Sequence, residues 1–289
     1  MVTMQITSSP AIPTLMARAA LTTRGRGGPL PDTRFTQTGV LADRTRVAAY
    51  GRVCGYPLTD ALPPTYPHVL AFPLQLALMT ERSFPLPLPG LVHVRNRIEA
   101  VRPIGAGESL DLQVWAERFA AHRKGATVDL CVAVSSAGQE VWRERCTYLA
   151  RGAKAPDGEQ NVDITEPVGA PPMAHLRPTA TWRVPADAGR RYAKVSGDVN
   201  PIHLSALTAK AFGFPRAIAH GMWVKARVLA GFAGRLPETL TVDVAFDKPL
   251  YLPSTVDYLT APSQGGWDFA VQNTKNDEIK HLTGTVRAL

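Results

Sequence analysis

The sequence predicts an α+β fold made of two similar halves in tandem. Three observations lead to this class. Strand-like segments follow one another in each half, each half contains one apolar segment of helical character, and two short segments recur at a nearly constant spacing. With 289 residues, the chain is long enough for one large or two ordinary domains.

Strands are predicted where apolar residues alternate or run together between turn-forming residues. The first half contains four such segments, which are His93–Ile104, Ser109–Phe119, Thr127–Ser135 and Glu140–Ala150. The second half repeats the pattern at Thr241–Phe246, Ser254–Ala261, Trp267–Gln272 and Glu278–Arg287. Successive strands of this kind, separated by short turns, indicate a sheet in each half.

One helix is predicted in each half. In the second half it begins near Gly221, because the apolar residues that follow recur at roughly helical spacing. In the first half the candidate is His68–Met79, an apolar segment that contains Pro73. Since proline lacks an N–H group, Pro73 suits the first turn of a helix better than its interior.

The repeat divides the chain. Tyr50–Gly55 is similar to Tyr192–Gly197, 142 residues later, and Arg102–Leu110 is similar to Lys248–Val256, 146 residues later. Residues 151–178 lie between the copies and are rich in proline, which is typical of an extended linker. We therefore predict an N-terminal domain at 1–150, a linker at 151–178 and a C-terminal domain at 179–289.

Composition bounds the class of protein. No apolar run reaches the roughly eighteen residues of a membrane span, so no membrane-spanning segment is expected. Cys54, Cys131 and Cys146 form no metal-like cluster, and their odd number argues against a disulfide framework. Pro10 and Pro13 interrupt the N-terminal apolar residues, which is not typical of a cleaved signal. The cytoplasm is the expected location.

The positive charge is concentrated in the first half, which has 18 Lys and Arg against 11 Asp and Glu over residues 1–154. A basic surface can steer an anionic carrier molecule, but a solvated surface without a partner explains the charge equally well. Nucleic acid is not expected as a partner, because no recognition motif accompanies the charge.

Residues 192–222, which read YAKVSGDVNPIHLSALTAKAFGFPRAIAHGM, carry most of the candidate chemistry. Gly197 is flexible and Pro201 has no N–H, so residues 196–203 are predicted to form a fixed loop. Such a loop can direct Asp198 and His203 to one point, although they lie five residues apart.

A carboxylate and an imidazole that share one water can move a proton to and from carbon and oxygen. Asp198 and His203 are therefore a candidate acid/base pair, and Asn200 is an amide that can orient one of them or the substrate. Gly221 lies in the predicted first turn, where N–H groups lack a helical partner and the helix dipole is positive. Its N–H is a candidate donor to a developing enolate oxygen.

Three elements occur in order here, namely Y-x-x-x-S-G-D-x-N-P-I-H at 192–203, A-x-x-x-G-F at 209–214 and I-x-H-G-M at 218–222. They resemble the signature of the MaoC-like dehydratases and R-specific enoyl-CoA hydratases. Because two halves are present and one carries the signature, the chain resembles double hot-dog 3-hydroxyacyl-thioester dehydratases of the actinobacterial type.

The resemblance implies a tandem hot dog, in which an antiparallel sheet wraps around long central helices. It implies a hydro-lyase of fatty acid metabolism that interconverts (3R)-hydroxyacyl and trans-2-enoyl thioesters of coenzyme A or acyl carrier protein. Asp198 and His203 inherit the catalytic dyad, Gly221 the backbone donor to the thioester carbonyl, and Asn200 a supporting role. No metal or other cofactor is implied.

The first half lacks the signature. Tyr56–Pro64, which follows the first repeat segment, contains no imidazole. We therefore predict a degenerate first half and one active site per chain, in a monomer or homodimer. The apolar helix of this half either lines a tunnel for the acyl chain or belongs to the ordinary core.

Two other classes of function remain open at this stage. A hot-dog protein can be a thioesterase, which would release a free thiol from an acyl thioester. The chain can also be a non-catalytic subunit that binds acyl thioesters. Within the signature, His220 is expected to anchor the loop by a hydrogen bond rather than to transfer a proton.

Overall fold

The computed structural model describes residues 2–23, 25–155 and 173–289. Within these residues the strands are β1 (Val2–Gln5), β2 (Thr33–Leu41), β3 (Leu91–Ala100), β4 (Ser109–His122), β5 (Gly125–Ser136), β6 (Gln139–Arg151), β7 (Arg177–Val184), β8 (Leu240–Phe246), β9 (Ser254–Ser263), β10 (Gly266–Asn273) and β11 (Asn276–Ala288). The helices are α1 (Ile12–Leu21), α2 (Arg44–Cys54), α3 (Tyr66–Thr80), α4 (Ala188–Ser196), α5 (Ala206–Ala211) and α6 (Gly221–Ala230), with short 3₁₀ turns at Met173–His175 and Pro201–His203.

The strands form one sheet in the order β1-β2-β4-β5-β6-β3-β8-β11-β10-β9-β7. All neighbouring pairs are antiparallel except β1 and β2. The centre of the sheet is the pair β3 and β8, and on each side the remaining strands follow in the same relative order. The predicted α+β class with a large antiparallel sheet is therefore confirmed.

An internal two-fold axis relates the two halves of this sheet. Where β3 meets β8, Arg97 pairs with Asp243. These residues are 146 apart, which is the spacing of the second repeat. Nη1 of Arg97 lies 3.6 Å from Oδ2 of Asp243, and the guanidinium of Arg95 donates to both oxygens of the same carboxylate. The two copies of the repeat therefore form one continuous sheet, and charge pairs join them at its centre.

The eight predicted strands are all present, but β1, β2 and β7 were not predicted. The segment of β2 reads TRFTQTGVL, in which polar residues obscure the apolar alternation. Strand β7 begins inside the predicted linker and includes Pro178. It tolerates this proline because it lies at the edge of the sheet. Residues 156–172 of the linker lie outside the described residues, and the division at 150 and 179 stays a proposal.

The prediction for Pro73 is wrong. Helix α3 begins at Tyr66, so Pro67 occupies the first turn and Pro73 lies inside the helix. An interior proline removes one helical hydrogen bond and costs about 3 kcal/mol. Nearly every side chain of α3 is buried, including Leu74, Leu76 and Leu78. Burial of this many apolar side chains, at about 1.5–3 kcal/mol each, outweighs the proline.

The helices of the two halves share one core. The rings of Tyr50 in α2 and Tyr192 in α4 lie 6.0 Å apart. Nε1 of Trp223 in α6 donates to the carbonyl of Val53 at 3.1 Å. In consequence, α4 and α6, which flank the signature loop, are held by contacts with the first half.

No helix in the described ranges is both long and apolar enough to cross a membrane. Cys54, Cys131 and Cys146 are buried free thiols. Burial raises the pKa of the Cys54 thiol to about 12, so this thiol remains protonated at neutral pH.

Candidate active site

Asp198 lies in the turn that follows α4, and local hydrogen bonds hold its backbone and side chain. Its N–H donates to Oγ of Ser196 at 3.2 Å, and its Oδ1 accepts the N–H of Asn200 at 3.2 Å. The side chain of Asn200 accepts the N–H of Ile202 at 3.4 Å and so caps the 3₁₀ turn that leads to His203. Asn200 thus orders the segment between the two predicted catalytic residues.

His203 is buried and has a defined tautomer. Its Nδ1 lies 2.8 Å from the carbonyl oxygen of Ile218. Because a carbonyl can only accept, Nδ1 carries the proton and Nε2 retains its lone pair. His203 is therefore oriented as a base.

Gly189 allows α4 to approach the backbone of His203. A Cβ atom at Gly189 would lie 2.0 Å from the carbonyl oxygen of His203, which no real structure permits. No sequence pattern marks Gly189, since the contact joins two segments that are brought together only by the fold.

His220 touches both Asp198 and His203. Its Nε2 donates to the backbone carbonyl of Asp198 at 3.0 Å and lies 3.7 Å from Oδ2 of the same residue. Its ring stacks on that of His203, with centroids 3.6 Å apart. Burial and the neighbouring His203 lower the pKa of His220 to about 3, so the ring is neutral. This geometry agrees with the expected anchoring role.

The ionisable groups of the site lie within bridging distance. A carboxylate oxygen of Asp198 and one ring nitrogen each of His203 and His220 all lie within 4.8 Å of one another. Since hydrogen bonds to oxygen are about 2.8 Å long, one oxygen atom placed between Asp198 and His203 can contact both. The side chain of Asp198 is 31% exposed, which leaves the cluster accessible from one side.

The protonation states follow from the surroundings. Burial raises the pKa of the Asp198 carboxyl, whereas His220, His203 and the N–H of Asn200 lower it. The lowering effects are together the larger, so the pKa lies below its ordinary value. Burial lowers the pKa of His203, although Asp198 and the Ile218 carbonyl act in the opposite direction. At neutral pH the pair is thus a carboxylate and a neutral imidazole.

Helix α6 begins at Gly221, as predicted. A Cβ atom at this position would lie 2.9 Å from two ring atoms of Phe246. That ring cannot easily move, because it packs on His93 at a centroid distance of 4.9 Å, and His93 stacks on Tyr148 at 4.7 Å. Only glycine therefore fits beneath this ring. Phe246 and His93 were missed as supporting residues, because neither belongs to the signature.

The equivalent position in the first half can be assigned from the backbone. Ala61 forms an isolated bridge with Gly105, and Ile218 forms the corresponding bridge with Tyr251, 146 residues after Gly105. Counting onward, Pro64 takes the place of Gly221. Since proline has no N–H, this position of the first half cannot donate a backbone hydrogen bond.

A second polar cluster lies between α3 and α6. Nζ of Lys225 donates to Oδ1 of Asn96 and to the carbonyls of Asn96 and Val242, both at 3.3 Å. Nδ2 of Asn96 donates to Glu144 at 2.7 Å, and the other oxygen of Glu144 lies 2.9 Å from Nδ1 of His68. The cluster links side chains of both halves in the interior.

Two groups among the described residues could each offer three ligands to a metal ion. The first group is Asp198, His203 and His220, and the second is His68, Glu144 and Cys146. In the first group, each imidazole already uses one nitrogen to bond a carbonyl. In the second, Lys225 bonds the same Asn96 as Glu144, and its ammonium would oppose a cation.

Lys225 is expected to make stability depend on pH. Burial lowers the pKa of Lys225 to about 7, although Glu144 and Asp243 act in the opposite direction. The unfolded chain, with an ordinary pKa near 10.5, binds this proton more tightly, so stability rises as pH increases above about 7. We expect chemical denaturation to show that the free energy of unfolding of wild type rises between about pH 7 and 8.5. The rise should exceed that of Lys225→Met by roughly 1 kcal/mol per pH unit. Parallel stability curves for the two proteins would contradict the assignment.

Comparison with known proteins identifies the family. Residues 156–280 match the MaoC like domain. The chain is 37% identical over 273 residues to 3-hydroxyacyl-thioester dehydratase X of Mycobacterium tuberculosis, covering 94% of this chain and 95% of that protein. The crystal structure of HtdX from the same organism superposes with a TM-score of 0.77 at 36% identity, covering 89% of this chain and 100% of the other. A MaoC-like dehydratase from Phytophthora capsici shares the fold, with a TM-score of 0.72, 17% identity and coverage of 90% and 95%.

The fold and family define an enzyme of the hydratase/dehydratase class, a hydro-lyase on a tandem hot-dog fold. The chain belongs to the MaoC-like dehydratase family. The predictions of family, fold and enzyme class are thereby confirmed.

Proposed function

We infer that the protein reversibly hydrates trans-2-enoyl thioesters to (3R)-hydroxyacyl thioesters, with Asp198 and His203 as its catalytic dyad. The observation that carries this proposal is that a carboxylate oxygen of Asp198 and a ring nitrogen of His203 lie within 4.8 Å of each other. The likeness to a 3-hydroxyacyl-thioester dehydratase along nearly the whole chain supports an acyl thioester as substrate.

The starting protonation states constrain the proton transfers. In dehydration, Nε2 of His203 takes the proton from C2, and the Asp198 carboxylate stabilises the imidazolium that forms. The proton then passes through the dyad to the C3 hydroxyl as the C3–O bond breaks, and water departs. Both groups return to their initial states. Because neither holds a spare proton at rest, hydration takes the hydrogen added at C2 from the same water that supplies the hydroxyl.

Gly221 supplies the electrostatic part of the mechanism. Removal of the C2 proton places negative charge on the thioester oxygen, and the first-turn N–H of α6 can donate to it. His220, the residue before Gly221, touches both members of the dyad. The donor and the acid/base pair are thus connected through one rigid segment. Asn200 supports the pair through its backbone N–H and its cap on the 3₁₀ turn.

The first half is proposed to be a degenerate partner. It supplies half of the sheet and contacts α4 and α6, but Pro64 replaces the donor. We therefore expect one active site per chain. The protein is proposed to act as a monomer or homodimer, which light scattering of the purified protein would distinguish.

The experiment is a spectroscopic hydration assay with the purified chain. Loss of the enoyl thioester absorbance is expected with crotonyl-CoA and with longer enoyl thioesters on both coenzyme A and acyl carrier protein. Chiral analysis of the product is expected to show the (3R) alcohol. An unchanged enoyl absorbance across all chain lengths and both carriers would overturn the proposal.

The same reaction mixtures test the two alternatives. A thioesterase would release free thiol, which a thiol reagent detects while the hydration signal stays absent. A non-catalytic subunit would bind acyl thioesters and change neither absorbance nor free thiol.

A further inference from the structure

A cavity of about 300 Å³ lies beside the segment that follows α6, away from Gly221. Its volume is at the lower end of the range for small-molecule sites, roughly 300–1,000 Å³. Its buried wall consists of apolar side chains, which are Leu62, Pro67, Ala100, Ile104, Trp142 and Leu240. Exposed residues, among them Thr59, Gly234 and Glu238, form its rim.

The cavity occupies the position that corresponds to the active site in the first half. Pro64, the equivalent of Gly221, lines it, and so does Pro63, the equivalent of His220. Tyr56 also lines it and lies 142 residues before Asp198, the spacing of the first repeat. The internal two-fold axis thus relates the proposed catalytic site of one half to a cavity whose equivalent positions are Tyr56 and Pro64.

The residues that line this cavity do not include Asp198, His203 or Gly221. Helix α6 carries the catalytic donor at its first residue, and its ten residues span roughly 15 Å. In the second half, the cavity is lined only by residues from Ala233 onward, beyond the end of the helix.

The chemistry of the cavity favours an apolar chain over a reacting group. Nε1 of Trp142 is already bound to the carbonyl of Pro64 at 2.9 Å. The guanidinium of Arg102 is held by both oxygens of Glu108, at 2.9 and 2.8 Å. The wall therefore offers apolar surface and no polar group aimed at a ligand.

The charges near the rim are balanced and do not select the polar end of a ligand. Arg102 lines the cavity but is paired with Glu108, and Glu238 lies on the same rim. The apolar chain is therefore the part of a ligand that the cavity can recognise.

We propose that this cavity is a second, non-catalytic site that binds the acyl chain of a fatty acid or an acyl thioester. The positions equivalent to Asp198 and Gly221 are Tyr56 and Pro64 in this cavity, so the bound ligand would not be turned over there. The choice of an acyl ligand rests on the function proposed for the equivalent site, and the proposal adds a second binding site to it.

The test is isothermal titration of the full chain with decanoyl-CoA and, separately, with decanoate. Decanoyl-CoA is saturated and cannot be hydrated, so binding is measured without turnover. Wild type is expected to bind two molecules of at least one ligand per chain. Leu236→Trp, which fills the cavity, is expected to weaken the affinity of the second site at least tenfold. Whether the weakened ligand is decanoyl-CoA or decanoate shows whether the site binds an acyl thioester or a free fatty acid.

Leu41→Trp is the matched control, because Leu41 is exposed at the end of β2. It is expected to keep both sites. Ala233→Phe fills the cavity from another position, and it replaces Leu236→Trp in the titration if that variant fails to fold. Turnover of crotonyl-CoA by both filling variants is expected to stay within about twofold of wild type. A single site for both ligands in wild type, or two sites that persist in a folded filling variant, would overturn the proposal, whatever the outcome of the hydration assay.

Discussion

Asp198→Asn and His203→Ala are each expected to lower kcat for enoyl thioester hydration by about 10²–10⁴-fold. Asparagine preserves the shape of Asp198 and can still accept the N–H of Asn200, but it cannot hold the proton or stabilise an imidazolium. Alanine at position 203 removes the lone pair of Nε2 that takes the C2 proton. The measurement is the steady-state rate of loss of enoyl absorbance.

Circular dichroism and thermal unfolding would establish that both variants are folded. Asp277→Asn is the matched control for the charge change, because Asp277 is exposed near the start of β11 and far along the chain from the signature. Its turnover is expected to equal that of wild type. Near-normal turnover in either dyad variant would remove that residue from the mechanism.

Gly221→Ala is expected to lower kcat by about 10²–10³-fold, the usual effect of losing one oxyanion donor. The added methyl group would lie 2.9 Å from the ring of Phe246, which is held by His93. The start of α6 must therefore shift, and the N–H of residue 221 moves with it. KM is expected to change much less than kcat, because the donor acts mainly on charge that develops in the transition state.

A second substitution separates the steric cause from any other. In Gly221→Ala/Phe246→Leu the smaller side chain makes room for the methyl group, and at least part of kcat is expected to return. Gly27→Ala is the control for the glycine change, since a Cβ at Gly27 has no atom within 4 Å. If the double variant is as slow as Gly221→Ala, the contact with Phe246 does not explain the effect. Wild-type turnover in Gly221→Ala would exclude the donor role.

Local patterns allowed much of the fold to be predicted. Alternation of apolar residues located β3 to β6 and β8 to β11, because the inward face of each strand is apolar. The patterns failed for β2, with its many polar residues, and for β7, which lies at a sheet edge where Pro178 is tolerated. They also failed for Pro73, since helix propensity is a local quantity and the burial of α3 is not.

By itself, the sequence determined the family, the two-copy organisation and the segment in which Asp198, Asn200, His203 and Gly221 lie, because these depend on residue identity and spacing along the chain. Only the tertiary structure decided what touches these residues. The carbonyl of Ile218 selects the tautomer of His203, and contacts between distant segments require glycine at 189 and 221. The pairing of β3 with β8 sets the two-fold arrangement that relates an apolar cavity to the candidate site. These features depend on distances between residues far apart in sequence, and such distances are set by the packing of the whole sheet around its helices.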